Sequence, residues 1–90
     1  MTQTELTRAS DLLESAADQT SDDEANDRLA ELAEQVGDLA AEESRADHGR
    51  IARIQAAIDE LGPSVDDDVG DTMIEARSEL SSYREGLEGV

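Results

Sequence analysis

Residues 25–39 read ANDRLAELAEQVGDL, and apolar side chains recur in this stretch at alternating spacings of four and three. They are Ala25, Leu29, Leu32, Val36 and Leu39. This spacing places all five on one stripe of an α-helix, with charged residues on the opposite face. The stretch therefore predicts an amphipathic helix that must bury its stripe against another element.

Three more stripes with helical spacing lie along the chain, and no segment alternates apolar and polar residues over the length of a strand. The stripes are Leu6, Ala9, Leu13 and Ala16; Ile51, Ile54, Ile58 and Leu61; and Val69, Met73, Ala76, Leu80, Tyr83 and Leu87. The predicted fold class is all-α, an antiparallel bundle of about four helices with short connections. We expect one helical domain, residues 1–90, with helices at roughly 3–18, 22–43, 48–61 and 65–87.

Residues typical of helix ends separate these segments. Ser21, followed three positions later by Glu24, predicts a capping box at the start of the second helix. Asp47 is a candidate N-cap for the third helix, which Gly62-Pro63 should end. Ser64 should open the fourth helix.

Large apolar residues are few, so the predicted core is thin. Leu, Ile and Val total 17, and Tyr83 is the only aromatic residue. Gly37 and Gly70 fall inside predicted helices, where glycine costs about 1 kcal/mol relative to alanine, and they could mark a kink or an earlier end. Completion of the core by dimerisation is therefore an alternative to a four-helix monomer.

The charge balance indicates a protein adapted to high salt. The chain has 24 Asp and Glu residues, seven Arg and no Lys, giving a net charge of −17. Few large apolar residues with high net charge are also typical of disorder. In molar salt, however, the Debye length falls to about 3 Å, which screens the self-repulsion. We expect a halophilic, cytoplasmic protein that works in concentrated monovalent salt.

Several classes of function are disfavoured. The chain has no cysteine and no apolar run long enough for a membrane span. Nucleic-acid binding conflicts with the acidic charge and the lack of aromatics. A carboxylate-bridged metal bundle needs Glu-x-x-His, but Arg45 stands three residues before His48, the only histidine. The run from Asp66 onward also fails the calcium-loop pattern. We predict no metal, no cofactor and no enzymatic activity.

Three of the seven arginines lie within residues 44–56, SRADHGRIARIQA. The candidate interaction or anion site comprises Arg45, Asp47, His48, Gly49, Arg50 and Arg53. Guanidinium groups beside the free N–H groups of a helix start suit an anion or a phosphate. The alternative is that these arginines bridge to carboxylates of neighbouring helices and hold the bundle together.

The last residues, SYREGLEGV, form a candidate interaction tail that includes Tyr83 and Arg84. Tyr83 also occupies a position on the fourth stripe, which favours a buried ring. Arg77 and Arg84 flank the same stripe, and their stems should cover apolar surface while their head groups pair with carboxylates.

DHGRIAR (residues 47–53) and SYREGLEGV (residues 82–90) resemble a family of small, acidic, helical haloarchaeal proteins of unknown function. The resemblance extends to helix order and length. Ile51 and Ala46 depart from the leucine and proline expected in relatives. The resemblance implies a haloarchaeal source and an α-helical fold, and it supplies no activity, ligand or catalytic residue.

Two hypotheses for function follow. The first is a non-enzymatic, salt-adapted interaction module that binds an unknown protein partner or a second copy of itself. The second is a small-anion or nucleotide sensor that uses Arg45, Arg50 and Arg53.

Overall fold

The computed structural model describes residues 3–41 and 48–88, and within these ranges its regular structure is helical. The helices are α1 (Gln3–Gln19), α2 (Asp23–Ala41), α3 (His48–Leu61) and α4 (Asp67–Glu88), with a 3₁₀ turn at Gly62–Ser64. The prediction of an all-α bundle of four helices is confirmed.

The second helix starts one residue later than predicted, because its N-cap is Asp22. The Asp22 Oδ1 atom accepts a hydrogen bond from the Ala25 backbone N–H at 3.0 Å, and its carbonyl accepts one from the Asn26 N–H at 2.9 Å. The Thr20 hydroxyl oxygen in turn accepts the Asp22 N–H at 3.2 Å. The capping box assigned to Ser21 is therefore wrong: aspartate caps a helix as well as serine does.

The fourth helix also starts later than predicted, at Asp67. Ser64 is instead the last residue of the 3₁₀ turn, which carries Pro63 near its start. The Asp66 carbonyl accepts the Gly70 N–H at 2.9 Å, the first bond of the helical ladder. Asp66 therefore occupies the position just before the first residue of α4, which the sequence analysis had assigned to Ser64.

The core occupies the axis of the bundle and is made from all four stripes. Every stripe residue from Leu6 to Tyr83 is buried, apart from Leu61, which is partly buried against the core. Seven of the twenty buried apolar residues in the described part of the chain are alanines, so the core is thin and the helices approach closely. One chain encloses these stripes by itself.

Helix α1 lies between α2 and α4, whereas α3 packs mainly against α4. The Ser10 hydroxyl donates a hydrogen bond to the Ala33 carbonyl of α2 at 2.8 Å. At the end of α1, the Gln19 side-chain oxygen accepts one from the Thr72 hydroxyl near the start of α4 at 3.2 Å. These contacts join α1 to α2 and to α4, and in both pairs the helices run antiparallel. The bundle is 39 Å long and 19 Å across.

The two interior glycines do not break their helices, since α2 runs through Gly37 and α4 runs through Gly70. A Cβ atom at Gly37 would stand 3.3 Å from the Ser10 hydroxyl oxygen, which is a tight contact. Gly37 therefore allows the close approach of α1 and α2. At Gly70 a Cβ atom would meet nothing within 4 Å, so no packing contact requires glycine there.

Candidate functional site

The predicted cationic site lies at the start of α3, and the structure describes part of it. Arg45 and Asp47 lie outside the described residues. His48 is the first residue of α3. Gly49, Arg50 and Arg53 follow on the same helix, and all three are exposed. The described part of the site is therefore a solvent-facing patch on the first two turns of α3.

Arginines elsewhere in the bundle pair with nearby carboxylates. The Arg77 guanidinium of α4 donates two hydrogen bonds to the Asp59 carboxylate of α3, at 2.8 and 3.2 Å. On α2, Arg28 pairs with Glu31 at 3.0 Å. Pairing with a carboxylate is thus the arrangement of several arginines in the described residues, as the many carboxylates of the chain suggest.

Arg53 departs from this pattern. Within the described ranges it makes no hydrogen bond or ion pair, although the chain has 24 carboxylates. Its side chain projects from the outer face of α3, where the small residues Gly49 and Ala56 are also exposed. The expected bridge to a neighbouring helix is therefore not made at Arg53. This arginine has its full set of donors available to a partner.

A polar cluster that the sequence analysis missed joins α3 to α4, and its centre is Gln55. This side chain is only 4% exposed. Its amide nitrogen donates to the Arg77 carbonyl at 3.3 Å and to the Ser81 hydroxyl at 2.9 Å, and its amide oxygen accepts from the Arg84 guanidinium at 2.9 Å. The one available signal was that Gln55 stands four residues after Ile51, beside the apolar stripe.

Replacing Gln55 with alanine is expected to lower the free energy of unfolding by about 1–3 kcal/mol, because its partly buried partners on α4 lose their hydrogen bonds. The matched control is Gln35→Ala: Gln35 is exposed and makes only a 3.5 Å contact with Glu31. This control should change stability by less than about 0.5 kcal/mol. Urea titrations in molar KCl measure both values, and equal losses would contradict a structural role for the cluster.

The predicted interaction tail is partly described. Tyr83 is 4% exposed and packs in the core, as its position on the fourth stripe favours. Arg84 is half-buried and bonds to Gln55. Gly89 and Val90 lie outside the described residues. In this conformation the Tyr83 ring contributes to the core, and a role of the tail in binding stays a prediction.

An open groove of about 570 Å³ runs between α1 and α4. Its lining comprises Arg8, Asp11, Leu12, Glu75, Ser78 and Glu79. Leu12 is half-buried at its base. The Arg8 guanidinium stands 3.8 Å from the Glu79 carboxylate, which is an ion pair without a close hydrogen bond. No sequence pattern had indicated this groove, because it depends on which helices become neighbours.

Among the described residues, no group of three or more His, Asp or Glu side chains is arranged to hold a metal ion. Of the helices in residues 3–41 and 48–88, none is both long and apolar enough to cross a membrane.

The fold and these contacts define a small all-α bundle with an acidic surface, an exposed arginine patch on α3 and an open groove between α1 and α4. The chain belongs to a family of unknown function (DUF7553), whose model matches residues 1–86. Searches of curated proteins and of solved structures gave no match. Membership of a family without an assigned function agrees with the resemblance in the sequence, and the haloarchaeal source stays a prediction.

Proposed function

We propose that the protein is a non-enzymatic, salt-adapted interaction module, which uses the outer face of α3 to bind another protein or a second copy of itself. The observation that carries this proposal is Arg53, an exposed arginine that pairs with no carboxylate among the described residues of a chain rich in them. In this proposal the protein works in a cytoplasm that contains concentrated KCl.

The chemistry of arginine supports a role in recognition. Its planar guanidinium binds carboxylates and carbonyls through several donors at once, and arginine is enriched among residues that dominate binding energy. Gly49 and Ala56 have little side chain, so a partner can approach the backbone of α3 beside Arg53. Arg50 is exposed three residues before Arg53 and widens the patch.

The test compares Arg53→Gln with Arg28→Gln, since each removes one exposed arginine from a helix. Tagged protein captures partners from a lysate of the source organism in multimolar KCl, and sedimentation equilibrium reports self-association. We expect a stoichiometric partner, or a dimer, that Arg28→Gln retains and Arg53→Gln loses. A strict monomer without a partner, or binding that Arg53→Gln retains, would contradict the proposal.

The second candidate function is a small-anion or nucleotide sensor at the same patch. The availability of Arg53 beside Arg50 at the start of α3 favours it as well. Titration with inorganic phosphate and with ATP, followed by NMR at the Arg53 side-chain N–H and at the α3 backbone amides, separates the two functions. Saturable shifts that Arg53→Gln removes support the sensor, and unchanged spectra exclude it.

A further inference from the structure

We propose that the groove between α1 and α4 is a second docking surface, and that its occupant is a basic amphipathic helix of a partner protein. This goes beyond the function proposed above, because the groove and the α3 patch share no residue.

The groove has an apolar contact at its base and another beside it. Leu12 is half-buried at the base, where an incoming side chain can cover the rest of it. Ile74 is 65% exposed, the large apolar side chain of the described residues that remains most open to water. It precedes the groove residue Ser78 by four positions on α4, so the two are neighbours on the helix surface.

The walls of the groove are acidic and retain capacity to bind cations. Asp11 of α1 and Glu75 of α4 are exposed, and neither forms an ion pair with another described residue. Glu79 is deeper, with 22% of its side chain exposed, and its contact with Arg8 is a loose one of 3.8 Å. The groove is therefore lined by three carboxylates and one arginine.

This charge selects a basic occupant. In molar salt only charges in contact still interact, so the occupant must place cationic side chains directly on Asp11 and Glu75, and a second copy has few to offer because it carries seven arginines and 24 carboxylates. A helix suits the shape, because a groove between two antiparallel helices accepts a third helix along its length. Such a helix would place apolar side chains on Leu12 and Ile74 and flanking arginines or lysines on Asp11 and Glu75, the usual helix-in-groove arrangement.

The probe is an alanine-based helical peptide that carries leucines along one stripe and arginines on both sides of it. Calorimetry measures its binding at a KCl concentration where the chain is folded. The groove variant Asp11→Asn/Glu75→Gln is compared with Asp27→Asn/Glu34→Gln, which removes two exposed charges from α2. Circular dichroism verifies the fold of each variant.

We expect saturable binding that the groove variant weakens about fivefold and that the α2 control leaves nearly unchanged. Ile74→Ala should also weaken it, and Arg53→Gln should not, so the two proposals fail separately. Equal weakening by both charge variants, or no saturable binding, would overturn the inference. A dimer that Ile74→Asp dissociates would overturn it as well, since the occupant would then be a second copy.

Discussion

Transfer of the protein from molar KCl to dilute buffer is expected to unfold the bundle. In about 0.01 M salt the Debye length is about 30 Å, which exceeds the 19 Å width of the bundle, so like charges repel across the whole molecule. In about 1 M salt the length falls to about 3 Å, and only charges in contact still interact. The thin core leaves little stability to oppose a net charge of −17.

Far-ultraviolet circular dichroism over a KCl series measures this transition. Helicity should be low in dilute buffer and should rise steeply to a plateau in molar KCl. The control variant replaces the exposed carboxylates Asp27, Glu34, Asp38 and Glu60 with amides, and it should fold at a lower KCl concentration. Full helicity of the unmodified chain without salt would contradict the screening argument. An unchanged midpoint in the control would show that KCl acts through apolar burial instead.

The core could be predicted because burial in a helical bundle follows local periodicity. Each helix must turn one stripe inward. The stripe from Ala25 to Leu39 could be recognised from its own sequence, without knowledge of the helices that cover it. Details that depend on two segments could not be predicted in the same way. The cap of α2 was open for a local reason, because three consecutive polar residues could each have capped that helix and the structure uses Asp22 rather than Ser21.

The candidate sites show the same limit more strongly. Gln55 is buried only because Arg77, Ser81 and Arg84 of α4 satisfy its amide, and the α3 sequence does not contain that information. Composition predicted that arginines would bridge to neighbouring helices, as Arg77 does, whereas Arg53 projects from the outer face of α3 and makes no bridge within residues 3–41 and 48–88. The groove likewise requires the register of α1 against α4.

Truncating a core leucine should destabilise the bundle strongly. Leu29 lies on α2 and is fully buried, so Leu29→Ala removes contacts on every side and leaves a cavity. The expected loss is about 3 kcal/mol, which is a large fraction of the stability of a small domain. In the KCl series this loss appears as a higher midpoint, and urea titration at high KCl gives its value. A loss below about 1 kcal/mol would show that the thin core collapses around the missing side chain.

The matched control is Ile74→Ala, which removes a large apolar side chain that is 65% exposed. Its stability should change by less than about 0.5 kcal/mol, since the side chain has little packing to lose and alanine favours a helix. A loss as large as that of Leu29→Ala, growing with protein concentration, would mean that a second copy covers Ile74 in solution. A small change would instead show that the fold does not require an apolar residue there. Ile74 would then be available for a partner, and weaker peptide binding by Ile74→Ala would report a lost contact rather than a damaged bundle.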